Sequence, residues 1–103
     1  MTMIKPPISR YNKEIKQFCE KHHIAKLSLF GSFLTTAFKK SSDVDFLVSF
    51  DKQHIPTLFA MIGMEMELSD LIGHKADLRT ANELSPPIRE TVLSKAKTIY
   101  ERS

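Results

Sequence analysis

Three aspartates and one Gly-Ser pair are the residues of this chain that could do chemistry. Asp43 and Asp45 flank a single valine in "SSDVDFLVSFD", at the head of an apolar run. In an extended segment successive side chains alternate faces, so Asp43 and Asp45 point one way while Val44, Phe46 and Val48 point into the opposite layer. Two carboxylates side by side repel and raise a pKa, which calls for a compensating cation. Mg²⁺ suits such a pair, because it prefers carboxylate oxygens and completes its octahedron with water and phosphate oxygens. Asp77, in "HKADLRT", is a further acid in a short apolar segment. Placed alongside the pair, it would make a set of three acids suited to two-metal phosphoryl transfer. Ten residues separate Gly31-Ser32 from Asp43. Glycine lets the backbone turn sharply and approach a phosphate, Ser32 offers a hydroxyl and an amide, and a helix starting there would aim N–H groups at an anion. Each feature also has a plain reading: a solvated Asp-x-Asp, an ordinary turn, an Asp77 that merely pairs with Arg79. Arg79 shares the strand face of Asp77 and could instead reach a phosphate or an acidic partner.

These residues need elements to position them. Ile15, Phe18, Cys19 and His22 recur at helical spacing after Pro6-Pro7 and predict an amphipathic helix over about Ser9 to His23. Leu27 to Phe30 reads as a strand, Gly31-Ser32 as a tight turn leading into a short helix, Lys39 to Ser42 as a loop, and Val44 to Phe50 as a second strand. From about Pro56 to Ile72, Leu58, Met61, Met64, Leu68 and Leu71 predict a helix face, and Gly73 supplies its stop. Met61, Met64 and Met66 are expected to line the core. Lys75 to Thr80 predicts another strand. Ser85-Pro86 then opens a final helix with Ile88, Val92, Ala96 and Ile99 on one face, the alternative being a closing strand over Thr98 to Glu101. Alternating helices and strands at this size imply an α/β (α+β) fold, with helices packed on a small mixed sheet.

The chain has 103 residues, enough for one core, so a single domain over 1–103 is expected. It is 42% hydrophobic and 26% charged, without low-complexity tracts or repeats, the profile of a globular chain. No apolar run approaches the roughly 20 residues of a membrane span, and Met1 to Arg10 does not read as a signal peptide. A cytoplasmic location is expected. Cys19 is the only cysteine, which excludes an intramolecular disulfide and a Cys-based zinc cluster, and points to apolar packing. His22, His23, His54 and His74 lack zinc-site spacing and read as surface or packing residues. The net charge of +3 comes from scattered lysines, a poor footprint for nucleic acid.

The combination of Gly31-Ser32, Asp43-Val44-Asp45 and a later Asp77 resembles the signature of the nucleotidyltransferase superfamily related to DNA polymerase beta. More closely, the chain resembles the minimal nucleotidyltransferase (MNT) proteins, through "LFGS", "SSDVDFLVSFD", "GHKADLRT" and "LSPPIRETVLSKAKTIY" between Ile24 and Tyr100. The resemblance implies two Mg²⁺ ions held by Asp43 and Asp45 with Asp77 completing the triad, and an ATP triphosphate held at Gly31 and Ser32. It also implies Asp77 as base for an acceptor hydroxyl that attacks the α-phosphorus while pyrophosphate leaves. MNT proteins commonly accompany a HEPN-domain ribonuclease toxin as its antitoxin, and can neutralise it by transferring AMP to a toxin tyrosine. A complex with a HEPN toxin is therefore implied. The alternatives are a binding-only antitoxin that covers the toxin's active site, and an adenylyltransferase of a small molecule or RNA. Where many relatives follow Gly-Ser with basic residues and then a glycine, this chain has Phe33, Thr35 and Thr36, leaving Lys39, Lys40 or the partner to supply charge to the triphosphate.

Overall fold

The computed structural model describes residues 8–35, 38–39 and 41–102. Pro6-Pro7, Thr36 and Lys40 lie outside the described residues. Among the described residues four strands form one mixed sheet in the order β3-β2-β1-β4, with β1 at Ile24–Phe30, β2 at Val44–Phe50, β3 at Ala76–Arg79 and β4 at Lys97–Glu101. β1 runs antiparallel to both β2 and β4, and β2 runs parallel to β3. The parallel pair requires a crossover, and helix α2 (Leu58–Ile72) provides it.

One face of the sheet is dry. Leu27 and Leu29 of β1, Val44, Phe46 and Val48 of β2, and Ala76 and Leu78 of β3 are buried in a single cluster with Ile15, Phe18 and Cys19 of α1 (Asn12–Lys21) and Met64, Leu68 and Ile72 of α2. Cys19 is fully buried, as packing requires, and burial with the nearby Glu20 charge pushes its thiol up to about 12. Glu67 of α2 ties the two helices together by accepting from Lys21 at 3.2 Å and pairing with His22 at 3.0 Å. His22 is thus a packing residue. His23 and His54 stack on one another at 3.7 Å, in line with the plain reading of the histidines.

The first predicted helix divides into a 3₁₀ turn, Ile8–Tyr11, followed by α1. α2 follows the periodicity only in part. Thr57 caps its start by accepting from the Ala60 N–H at 3.1 Å, and Gly73 ends it at φ +68°. Leu58 and Met66, both expected inside, are however 74% and 65% exposed. α2 is apolar nearly all round, so spacing alone does not single out the stripe that meets the sheet.

Helix α3 spans Pro86–Lys95 and stops earlier than the helical pattern predicts, because Lys97–Glu101 forms β4. Ile99 therefore packs from a strand, and Ile88 is exposed. The closing-strand alternative prevails because β1 would otherwise leave a row of backbone groups unpaired, and the Thr98-Ile99-Tyr100 run is well suited to a strand. Ser85 flanks α3 in extended conformation without a side-chain cap, while Pro86 opens the helix.

Candidate active site

The acids lie on the other face of the sheet. Register decides their meeting: Asp45 sits directly beside Asp77 across the parallel β2–β3 pair, and beside Phe30 across the antiparallel β1–β2 pair. Phe30 is the last residue of β1, so the chain turns immediately above Asp45. Gly31 makes that turn at φ +74°, and a Cβ added there would lie 2.6 Å from Asp45 Oδ2. Both the left-handed backbone and the approaching carboxylate exclude a side chain. Gly31–Leu34 then forms a 3₁₀ turn, closed by the Thr35 N–H donating to the Ser32 carbonyl at 3.0 Å. The Ser32 hydroxyl has no hydrogen-bond partner among the described residues.

Burial pushes the Asp45 carboxyl above the usual range. Asp77 and Asp43 push it further, opposed by Arg79. The neighbours of Asp45 are each turned toward a cation of the chain: Asp43 Oδ2 lies 3.7 Å from Lys75 Nζ, and Asp77 Oδ2 accepts from Arg79 Nε at 3.2 Å. Among the described residues the three carboxylates are therefore not drawn together into a ready-made metal cage. An all-oxygen, partly exposed donor set under like-charge pressure nonetheless suits a hard divalent cation. The loop ahead of Asp43 is anchored, because the His74 ring donates from Nε2 to the Ser42 carbonyl and the Val44 N–H donates to the Lys75 carbonyl at 2.8 Å.

Two further side chains belong to the surroundings, Glu65 beside the acids and Lys95 beside the Gly31 turn. Glu65 of α2 accepts from the Leu78 N–H at 2.7 Å and sits against Asp77; burial raises its carboxyl, the Leu78 N–H opposes that, and Asp77 adds to it. Lys95, at the end of α3, lines an apolar cleft of about 390 Å³ with Phe30, Gly31, Leu34, Thr35, Thr91 and Val92. An acid in the apolar helix "MEMEL" was the one available signal for Glu65. Nothing local marks Lys95, which tertiary structure places in the wall of the same cleft as Gly31. The ring of Phe33 packs edge-on against buried Phe38 at 5.2 Å.

An acid-bearing sheet face beneath a Gly-Ser turn, backed by two helices, defines a nucleotidyltransferase fold. Residues 13–103 match the family model described as polymerase beta, nucleotidyltransferase, and the chain belongs to that family. It is 33% identical to the protein adenylyltransferase MntA of Thermococcus cleftensis, over 87% of this chain and 86% of that protein. Among solved structures it resembles one described as a minimal nucleotidyltransferase, at TM-score 0.72 and 27% identity, over 86% of this chain and 89% of that one. It also shares its fold with a chain from the complex of a tri-AMPylated Shewanella oneidensis HEPN toxin with an MNT antitoxin, at TM-score 0.67 and 16% identity, over 91% and 72% of the two chains.

Proposed function

We propose that this protein is an adenylyltransferase antitoxin that transfers AMP from ATP to a tyrosine hydroxyl of a HEPN ribonuclease toxin. The observation that carries the reading is the register that sets Asp45 beside Asp77 directly below the tight Gly31 turn, joining acids to a closely approaching backbone. Gly31 and Ser32 hold the triphosphate, the turn by close backbone approach and Ser32 by its free hydroxyl. Lys95, on the rim of the adjoining cleft, supplies the cation that Phe33 and Thr35 do not. Asp77 accepts the proton of the acceptor hydroxyl as its oxygen bonds to the α-phosphorus, and the bond from that phosphorus to the β-phosphate oxygen breaks to release pyrophosphate. Asp43, Asp45 and Asp77 are the residues that would hold Mg²⁺, which when bound neutralises developing charge and aligns the attacking and leaving oxygens. Positioning and electrostatics then account for most of the acceleration. The protein works in a complex with its toxin, in the cytoplasm, and no helix among the described residues is long and apolar enough to cross a membrane.

A second reading, a binding-only antitoxin, draws on the pairing of Asp43 with Lys75 and Asp77 with Arg79, which neutralises two acids without any metal. Dose separates the two. Given ATP and Mg²⁺, substoichiometric protein should silence the toxin and add the mass of AMP to a toxin tyrosine. Neutralisation only at one-to-one ratio, with no mass change, would establish the plug.

A further inference from the structure

Helix α2 carries a second apolar stripe that nothing among the described residues covers. Ile55, just ahead of the helix, and Leu58, Phe59, Ile62 and Met66 are 68%, 74%, 84%, 45% and 65% exposed. Within the helix, Leu58, Phe59, Ile62 and Met66 fall on one side, turned away from the buried stripe of Met64, Leu68 and Ile72. Contiguous apolar surface of this kind, rich in an aromatic and a methionine, marks an interaction site. Gly63 lies within the same stripe. A Cβ there would meet nothing within 4 Å among the described residues, so their packing does not require a glycine. A glycine inside a helix nonetheless costs about 1 kcal/mol relative to alanine. Its absence of bulk serves close approach from outside.

What approaches is indicated by where the stripe leads. Ile62 and Met66 share a shallow cleft with Glu65, Ser69, Asp70 and Lys75. Glu65 sits against Asp77 and Lys75 pairs with Asp43, so this surface continues into the candidate active site. The adjacent edge of β3 offers no strand pairing, because its outward Ala76 and Leu78 N–H groups already donate to Ser69 Oγ at 2.8 Å and Glu65 Oε2 at 2.7 Å. A partner on this side meets a helix face with a notch at Gly63, which suits helix-on-helix packing. We infer that the outward face of α2 is the docking surface for the acceptor protein, and that a helix of the HEPN toxin seats on Phe59, Ile62, Gly63 and Met66 so that its hydroxyl reaches Asp77. This rests on the proposed adenylyltransferase function.

The experiment uses the full chain, its cognate toxin, ATP and Mg²⁺. Ile62→Glu and Phe59→Glu should weaken toxin binding at least about tenfold and slow AMP transfer at limiting toxin, with ATP affinity unchanged. Gly63→Leu sharpens the test, since it should keep or raise the melting temperature through better helix propensity while still weakening toxin binding. Wild-type toxin affinity in all three variants overturns the inference. So does a wild-type chain that is dimeric alone, becomes monomeric in these variants and modifies the toxin normally, because the stripe would then belong to a second copy. Because toxin binding is read directly, a wild-type complex that transfers no AMP defeats the adenylyltransferase reading and leaves the docking surface to be judged by the variants' affinities.

Discussion

The two faces of the sheet obey opposite physical demands. Toward α1 and α2, the residues Leu27, Phe46, Leu68 and Cys19 lose nearly all contact with water, and the helices are tied to each other at Glu67. On the other face, Asp45 and Asp77 stand side by side, and α3 has no buried residue of its own, being held chiefly where Arg89 donates to the Ala81 and Leu84 carbonyls at 2.8 and 3.0 Å. The first face stabilises the domain and the second gives up stability to keep like charges close. Perturbed carboxylates gathered at a partly open face are where function is to be sought.

Adjacent residues on the same strand put this contrast to its hardest test. Phe46→Ala should cost about 3–5 kcal/mol in urea unfolding, a large part of the stability of a small domain. Asp45→Asn should instead keep or raise the unfolding midpoint while AMP transfer falls by roughly two to three orders of magnitude, the scale of losing one preorganised electrostatic group. If both variants merely unfolded, the faces would not differ in kind.

A smaller effect separates the turn from the strand. Ser32→Ala should lose a hydrogen bond to a charged group, about 1.5–3 kcal/mol of ATP affinity, with stability unaltered since the hydroxyl has no partner among the described residues. Calorimetric ATP binding that matches wild type would reduce the Gly-Ser segment to a turn.

The subtlest difference is in pH dependence. Burial, Asp77 and Asp43 raise the folded-state pKa of Asp45 above its unfolded value, so the native protein holds that proton more tightly. The resulting stabilisation is complete below the ordinary Asp pKa of about 3.9 and is lost as pH rises through the raised value. Measured with a chelator present, wild type should therefore lose stability relative to Asp45→Asn as pH climbs from about 4 toward neutrality. Parallel curves for the two proteins would show that the acids are not under strain.

Much of this was legible without coordinates, for identifiable reasons. Asp43 and Asp45 are separated by one apolar residue at the head of the apolar run Val44 to Phe50, so the strand and the shared face of the two acids follow from the pleat alone. Gly73 marks the end of its helix by local backbone chemistry, whereas the Thr57 cap at its start shows only in the structure. The need for a glycine at position 31 was also readable as a turn, though its second cause, the Asp45 carboxylate 2.6 Å from the place of a Cβ, was not. Where the pattern misled, tertiary pairing had overridden local preference. Ala96 and Ile99 continue a helical spacing, but the free edge of β1 draws Lys97–Glu101 into the sheet.

Residue types and spacing, then, determined on their own which side chains carry charge, which face of each strand is apolar and where the chain must turn, since these depend on the two-residue and 3.6-residue periods and on backbone sterics. Tertiary structure alone decided that Asp77 comes to Asp45, that Glu65 and Ser69 cap the edge of β3, that Lys95 shares a cleft with Gly31, and which of the two apolar stripes of α2 is covered. Those are contacts between segments distant in sequence, set by strand register and by one sheet that can bury only one side of each helix.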